Sequence, residues 1–270
     1  MTNVNTLFIL QLNMKGIIFM YRDYKVRLKM SMFRPIKQED YIDVYENPYA
    51  MITYVALRIM GKDDMYIDAQ PSSIWRRFAH KEPTKDNIKG IKSGLEILKE
   101  EGLIYYEDPN KRGGAYNINI NNLNIDKEDI CTFTITSNEI MKLLPYNNSI
   151  KLIAFYLLLC STINKKTKYG LTSQEQFSII SGYHRNTIAR YFKIFDECNL
   201  IVFGETSYKN SDKGIESLPK PYTKIGMKQY LIDAEIKIQE KTKSTKQVEN
   251  YSKNENNNTN ISKRKDIVFR

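Results

Sequence analysis

The chain has 270 residues, 41% hydrophobic and 27% charged, which excludes fibrous and wholly disordered classes and leaves room for two small domains plus tails. Its formal net charge of +10 points to a polyanionic partner, but residues 1–34 and 236–270 carry +5 each while 35–235 sum to zero, so any case for nucleic acid must rest on where the charges sit. Cys131, Cys160 and Cys198 form no CxxC pair, and only His80 and His184 are present; a disulfide framework, a zinc ribbon and a histidine metal site are all disfavoured.

Residues 1–34 read as an N-terminal extension, either an upstream reach of the reading frame or a disordered arm. The apolar run from Leu7 to Met20 is interrupted by Gln11, Asn13 and Lys15. It falls short of the ~20 residues of a membrane span, and it has neither a basic leader nor a small-residue cleavage site. No membrane contact is expected, and the cytoplasm is the expected compartment.

A first domain is expected over residues 35–120. From Pro48 the spacing of Met51, Val55 and Ile59 predicts a helix ending near Gly61, followed by a strand over Met65 to Ala69. Pro71 opens a second helix, PSSIWRRFA, with Ile74, Trp75 and Phe78 for the core. Thr84 is the expected N-cap of a third helix, which carries Ile88, Ile91, Leu95 and Leu98 on one side and stops at Gly102. A hairpin then runs from Leu103–Tyr106 through a Pro/Gly turn to Ala115–Ile120. The polar stretch 121–129 reads as a linker.

A second domain, 130–235, repeats the plan. A strand over Cys131 to Ile135 and a short helix over Ser137 to Leu144 lead into the strongly apolar helix Ser149 to Ile163. Thr172 and Ser173, with Glu175 and Gln176, give two overlapping capping boxes for the next helix. After a turn at Tyr183 and His184, a helix runs on into a strand ending at Phe203. Ile91, Leu95, Leu98, Leu103 and Ile104 match Ile188, Phe192, Phe195, Leu200 and Ile201 at one offset of 97 positions, which marks an internal repeat. Residues 236–270, rich in Asn, Lys and Glu, are expected to form a disordered basic tail. Its Ser262–Lys265 run either adds nonspecific DNA affinity or is simply solvated.

Helix, capped helix, turn, then the pattern x-T-I-x-R-x-h-x-x-h-x-x-x-x-L-I (h apolar) over residues 186–201 resembles the winged helix-turn-helix superfamily. The second unit is similar in layout to DNA-binding domains of plasmid and phage replication initiators of low-GC bacteria, the RepA-N-like and DnaD-like groups. The resemblance covers about residues 45 to 225. It implies a mainly α fold with small β wings (α+β), two tandem winged units, and binding of double-stranded DNA. Replication initiation for a plasmid, phage or mobile element is the role expected; a transcription regulator on operator DNA and a protein-interaction module in replisome assembly are the alternatives. A second copy or replication proteins are the other partners to consider.

In such a fold the third helix lies in the major groove. Placing Ile188 at the centre of the buried face puts Asn186, Arg190 and Lys193 on the opposite side, with Thr187 and Ala189 flanking. Arg bonds guanine bidentately, Asn bonds adenine, and methyl groups meet thymine. Arg185, Lys165, Lys166 and Lys168 are expected at phosphates, with backbone NH groups offered by the helix start at Thr172 and Ser173. In the first unit the same projection exposes Lys89, Lys92 and Ser93, joined by Lys85, Arg76 and Arg77 and by Lys111 and Arg112 at the wing tip. Glu96 takes the place of Lys193 there. Gly90 and Gly94 allow close approach, by DNA or by a helix of the second unit or of another subunit. Whether this helix reads bases or mediates protein contacts is left open.

No GxxxxGK[ST] loop, glycine-rich dinucleotide turn or metal-binding histidine cluster is present. Cys160 with His184 is a poor nucleophilic pair. The protein is expected not to be an enzyme and to need no cofactor and no metal.

Overall fold

Two helices have apolar residues on every side, and such helices must be covered on every side. They are α1 (Pro48–Gly61), buried almost throughout from Ala50 to Ile59, and α5 (Ser149–Ser161), buried without a break from Leu152. They pack on each other at the centre of the molecule. The computed structural model in which this is seen describes residues 25–29, 46–61, 66–109, 114–120, 132–205, 208–211, 214–217 and 219–238. The expected linker 121–129, the wing-tip residues Lys111 and Arg112, and the tail beyond 238 lie outside them.

Around each central helix the chain lays down the same order of elements. After α1 come β2 (Tyr66–Ala69), α2 (Pro71–Ala79), α3 (Lys85–Glu100), β3 (Ile104–Glu107) and β4 (Tyr116–Ile120), with antiparallel sheet order β2-β4-β3. After α5 come Gly170, which bridges to Tyr222, then α6 (Gln174–Ser181), α7 (Arg185–Glu197), β6 (Ile201–Phe203) and β9 (Tyr222–Lys224), which pairs with β6. The strand order is therefore the same in both halves, with the first strand of the second half reduced to one residue. A hairpin of β7 (Tyr208–Ser211) and β8 (Gly214–Ser217) is inserted between β6 and β9. These three strands, β7 to β9, lie beyond Phe203, where the expected elements of the second half end. A short 3-10 turn and a helix α8 over residues 229–238 follow.

The repeat extends to the helix ends. Gly102 after α3 and Asn199 after α7, again 97 positions apart, both have left-handed φ, at 68° and 50°. In each case two backbone bonds close the end: Leu103 N–H to Leu98 O and Gly102 N–H to Lys99 O, then Leu200 N–H to Phe195 O and Asn199 N–H to Asp196 O, all 2.9–3.0 Å. This is the Schellman closure, which favours Gly and tolerates Asn.

One expectation is corrected. Residues 25–29, expected within the N-terminal extension, form a strand β1 (Lys25–Lys29) that pairs antiparallel with β5 (Thr132–Thr136), and Leu28 is fully buried. The alternation K-V-R-L-K explains it: Val26 and Leu28 turn inward while Lys25 stays in water. The core is continuous. Val26, Met51, Ile91, Leu152 and Phe195 all belong to one buried cluster, so the two halves share a core rather than each closing its own.

Short-range chemistry holds the second half together. A short helix α4 (Ser137–Leu143) is capped by Thr136, whose hydroxyl accepts from Glu139 N–H while Glu139 Oε2 accepts from Thr136 N–H. Glu139 Oε1 also holds Lys224 Nζ at 2.7 Å, and the same ammonium donates to Thr134 O at 2.6 Å. Lys224 thereby ties β9 to β5 and α4. The fold as a whole is α+β with small antiparallel sheets. No helix among the described residues is long and apolar enough to cross a membrane.

Candidate nucleic-acid interface

α7 is amphipathic by sequence and in place. Ile188, Tyr191 and Phe195 are buried, while Asn186, Ala189, Arg190 and Lys193 are exposed and Thr187 is half-buried. The residues singled out from the sequence thus share one outward strip on the N-terminal half of the helix. Asp196 and Glu197, exposed at the other end, leave that half as the cationic one. Lys193 is 3.8 Å from Glu197, and the Arg190 guanidinium lies 5.8 Å from the centroid of the Tyr191 ring. Burial raises the Tyr191 hydroxyl above its ordinary pKa, with Arg190 opposing, so Tyr191 is neutral wherever the protein is folded near neutral pH.

The strip is held from behind by aromatic packing. The Phe155 ring of α5 lies 5.5 Å from those of Phe177 and Tyr191, 5.8 Å from Tyr183, and 6.2 Å from Phe192 and Phe195. One residue of the central helix therefore touches α6, the turn and α7 together, which fixes the angle between the two outer helices. α7 begins at a cap absent from the sequence reading: His184 Nδ1 accepts from Asn186 N–H at 3.2 Å.

The start of α6 settles the two overlapping capping boxes. Ser173 is the N-cap, accepting from Gln176 N–H at 3.1 Å while Gln176 Oε1 accepts from Ser173 N–H at 2.9 Å. The helix begins at Gln174, and Thr172, expected at the helix start, is instead a hydrogen-bond partner of Tyr222. Tyr222 also meets the Thr162 hydroxyl, and burial pushes its own hydroxyl up to about 12. Arg185, expected at a phosphate, forms a 2.6 Å ion pair with Glu175 across the α6 and α7 starts. Both groups are largely exposed, so the pair is one that a phosphate could exchange with at little cost. Lys165, Lys166 and Lys168 stand on the loop between α5 and α6, whose turn is made by Asn164 Oδ1 accepting from Lys166 and Thr167 N–H at 2.8 and 3.2 Å.

In the first half Lys85, Lys89, Lys92 and Ser93 are exposed on the N-terminal part of α3, Arg77 is half-buried, and Arg76 is exposed. Thr84 caps α3 as expected, with Asn87 completing the box. Arg76 is engaged bidentately by Glu82 at 3.0–3.1 Å, which raises the guanidinium pKa and lowers that of the carboxylate through the hydrogen bonds between them. Beyond Ser93 the surface changes sign, with Glu96, Glu100, Glu101, Glu107 and Asp108 all exposed against one exposed cation, Lys99, whose ammonium lies 4.4 Å from the Tyr106 ring centroid.

The two glycines of α3 have a different use from those expected. A Cβ at Gly94 would stand 2.8 Å from the Tyr49 carbonyl and 2.5 Å from Thr53 Oγ1, and one at Gly90 would collide with the Tyr49 ring. Both therefore face α1 of the same half, not DNA or a helix from the second half or another subunit. The two outward strips are linked mechanically: α3 packs on α1, α1 on α5, and α5 through Phe155 on α7. Trp75 is core, as expected. Cys160 is buried, and its thiol is pushed up to about 12, which leaves it protonated and inert.

Comparison with protein-family models, with curated proteins and with solved structures finds no match for this chain.

Proposed function

We propose that the chain binds double-stranded DNA through two tandem winged helix-turn-helix units, and that α7 of the second unit reads base edges in the major groove. One observation carries this reading. Asn186, Arg190 and Lys193 occupy an exposed strip on the N-terminal half of α7, backed by buried Ile188, Tyr191 and Phe195, which is the arrangement a recognition helix requires. The neighbouring lysine loop and Arg185 supply cations for phosphates, and α6 presents its capped start beside them. α3 of the first unit is given a phosphate-binding role, through Lys85, Lys89 and Lys92. Its acidic C-terminal half argues against base reading along the full helix.

The biological role we assign, initiation of replication for a plasmid, phage or other mobile element, rests on the layout of the second unit. Pull-down of bound fragments from sheared natural duplex DNA, followed by sequencing, tests both levels. Repeats such as those of an origin support initiation; a promoter palindrome makes the chain a transcription regulator instead. Binding should weaken steeply with salt, and absence of salt-sensitive duplex binding overturns the proposal. Arg190→Ala should weaken the preferred site by ~1 to 3 kcal/mol and relax its sequence preference. An equal loss on every sequence would reassign Arg190 to a phosphate.

A further inference from the structure

The sheet β2-β4-β3 has one face against the helices, bearing Ile67, Ala69, Tyr106, Ile118 and Ile120, all buried. Its other face is open, and strand register dictates what stands there. Tyr66 lies opposite Asn119, and Asn119 opposite Tyr105; in the second row Asp68 lies opposite Asn117, and Asn117 opposite Glu107. Tyr66 is 64% and Tyr105 56% exposed, and Asp68, Asn117 and Glu107 are exposed as well. Asn117 Nδ2 donates to Asp68 Oδ1 at 2.9 Å, which sets one carboxylate in place.

The outer face of an antiparallel sheet is ordinarily polar, so two tyrosines with more than half their surface in water need a reason. Strands lie about 4.8 Å apart. Tyr66 and Tyr105 therefore stand about 10 Å apart across Asn119, and the carboxylates of the second row follow about 7 Å along the strands. Neither row holds a cation. A stacking platform for single-stranded nucleic acid combines aromatic rings with positive charge; here a phosphate would meet Asp68, Glu107 and the exposed Asp108 next to it. A guanidinium has the opposite character. It is planar, stacks on an aromatic ring, and pairs bidentately with a carboxylate.

We propose that the outer face of β2-β4-β3 docks an arginine-bearing basic segment of a partner protein, its arginines stacking on Tyr66 and Tyr105 and pairing with Asp68 and Glu107. Charge complementarity selects the partner: within residues 35–235, whose charges sum to zero, this face is acidic, so it attracts and orients a basic segment. The surface is separate from the strip on α7, and the two functions can fail independently.

The test uses the full chain and two fluorescent Gly/Ser peptides, identical except that one carries arginines where its twin carries lysines. Anisotropy titration should show the arginine peptide binding more tightly than the lysine twin. Tyr66→Ala with Tyr105→Ala should weaken it about 5-fold to 30-fold, the loss of two cation–ring contacts, with duplex DNA affinity unchanged. Asp68→Asn with Glu107→Gln should weaken both peptides. All four positions are on the surface, so unfolding does not confound the result, and near-ultraviolet circular dichroism checks this. Equal binding of the twins with no effect of the tyrosine changes would reduce the face to generic acidic attraction and overturn the proposal. Peptide binding that rises when residues 239–270 are removed would assign the face to the chain's own basic tail, also overturning it. A change of oligomeric state in the tyrosine variant, read by analytical ultracentrifugation, would assign it to a second copy with the same consequence.

Discussion

At the residue scale, two positions carry sharp consequences. Gly94 is a position where alanine would ordinarily gain ~1 kcal/mol of helix stability, yet its missing side chain is what lets α3 lie on the Tyr49 carbonyl and Thr53 of α1. Gly94→Ala is therefore expected to destabilise, by about 1 to 3 kcal/mol, as read by urea titration; a neutral or stabilising result would contradict the packing described. His80 ends α2 with a left-handed φ of 51°. Burial first, and the charge of Arg77 second, hold its pKa below the ordinary 6.5. The unfolded chain thus takes up a proton near that value while the folded chain withholds it, so stability falls as pH drops below about 6.5 and until the lowered pKa is reached. His80→Asn keeps a residue that tolerates the left-handed turn and removes the proton. Its melting temperature should decline less than that of the parent between about pH 7 and 5; parallel declines would remove His80 as the cause. Both positions also show where sequence reading ran out. Gly90 and Gly94 announced a close approach, but only the fold says that α1 is what approaches.

Elements were legible wherever the signal was local. Thr84 before α3, the cap at the start of α6 and Gly102 after α3 all act within a turn or two of the chain, and each is found in place. β1 was not, although its alternation was visible, because pairing with β5 spans more than 100 positions: Arg27 Nε donates to Thr132 Oγ1 across 105. The outward strip of α7 followed from helical geometry alone. The ion pairs of Arg185 with Glu175 and of Arg76 with Glu82 depend on how helices and turns meet, which periodicity does not encode. Phe155 is the element-scale prediction. Because its ring contacts α6, the turn and α7 at once, Phe155→Ala should cost about 3 to 5 kcal/mol in chemical denaturation. A loss below ~1 kcal/mol would show that α7 is oriented by something else.

For the whole molecule, the continuous core is the governing fact. Two apolar helices, one from each half, cover each other, and the β1–β5 ribbon crosses between the halves. Thermal unfolding followed by far- and near-ultraviolet circular dichroism should give coincident single transitions; two separated transitions would mean that the halves are independent after all. The all-round apolarity of α1 and α5 was the sequence signal for this, and it was legible only as a strong helix because nothing in a linear pattern says which two such helices will meet. The ribbon also imposes an order in time. A ribosome makes β1 ahead of the first half, but its partner β5 is not synthesised until that entire half has been made. At ~5 to 20 residues per second that interval is about 5 to 20 s. α1, made soon after β1, carries an apolar side whose cover, α5, follows only after β5. The nascent first half is therefore the most vulnerable state of this protein, and folding helpers that hold exposed apolar helices should matter more to its yield in the cell than to its stability once complete.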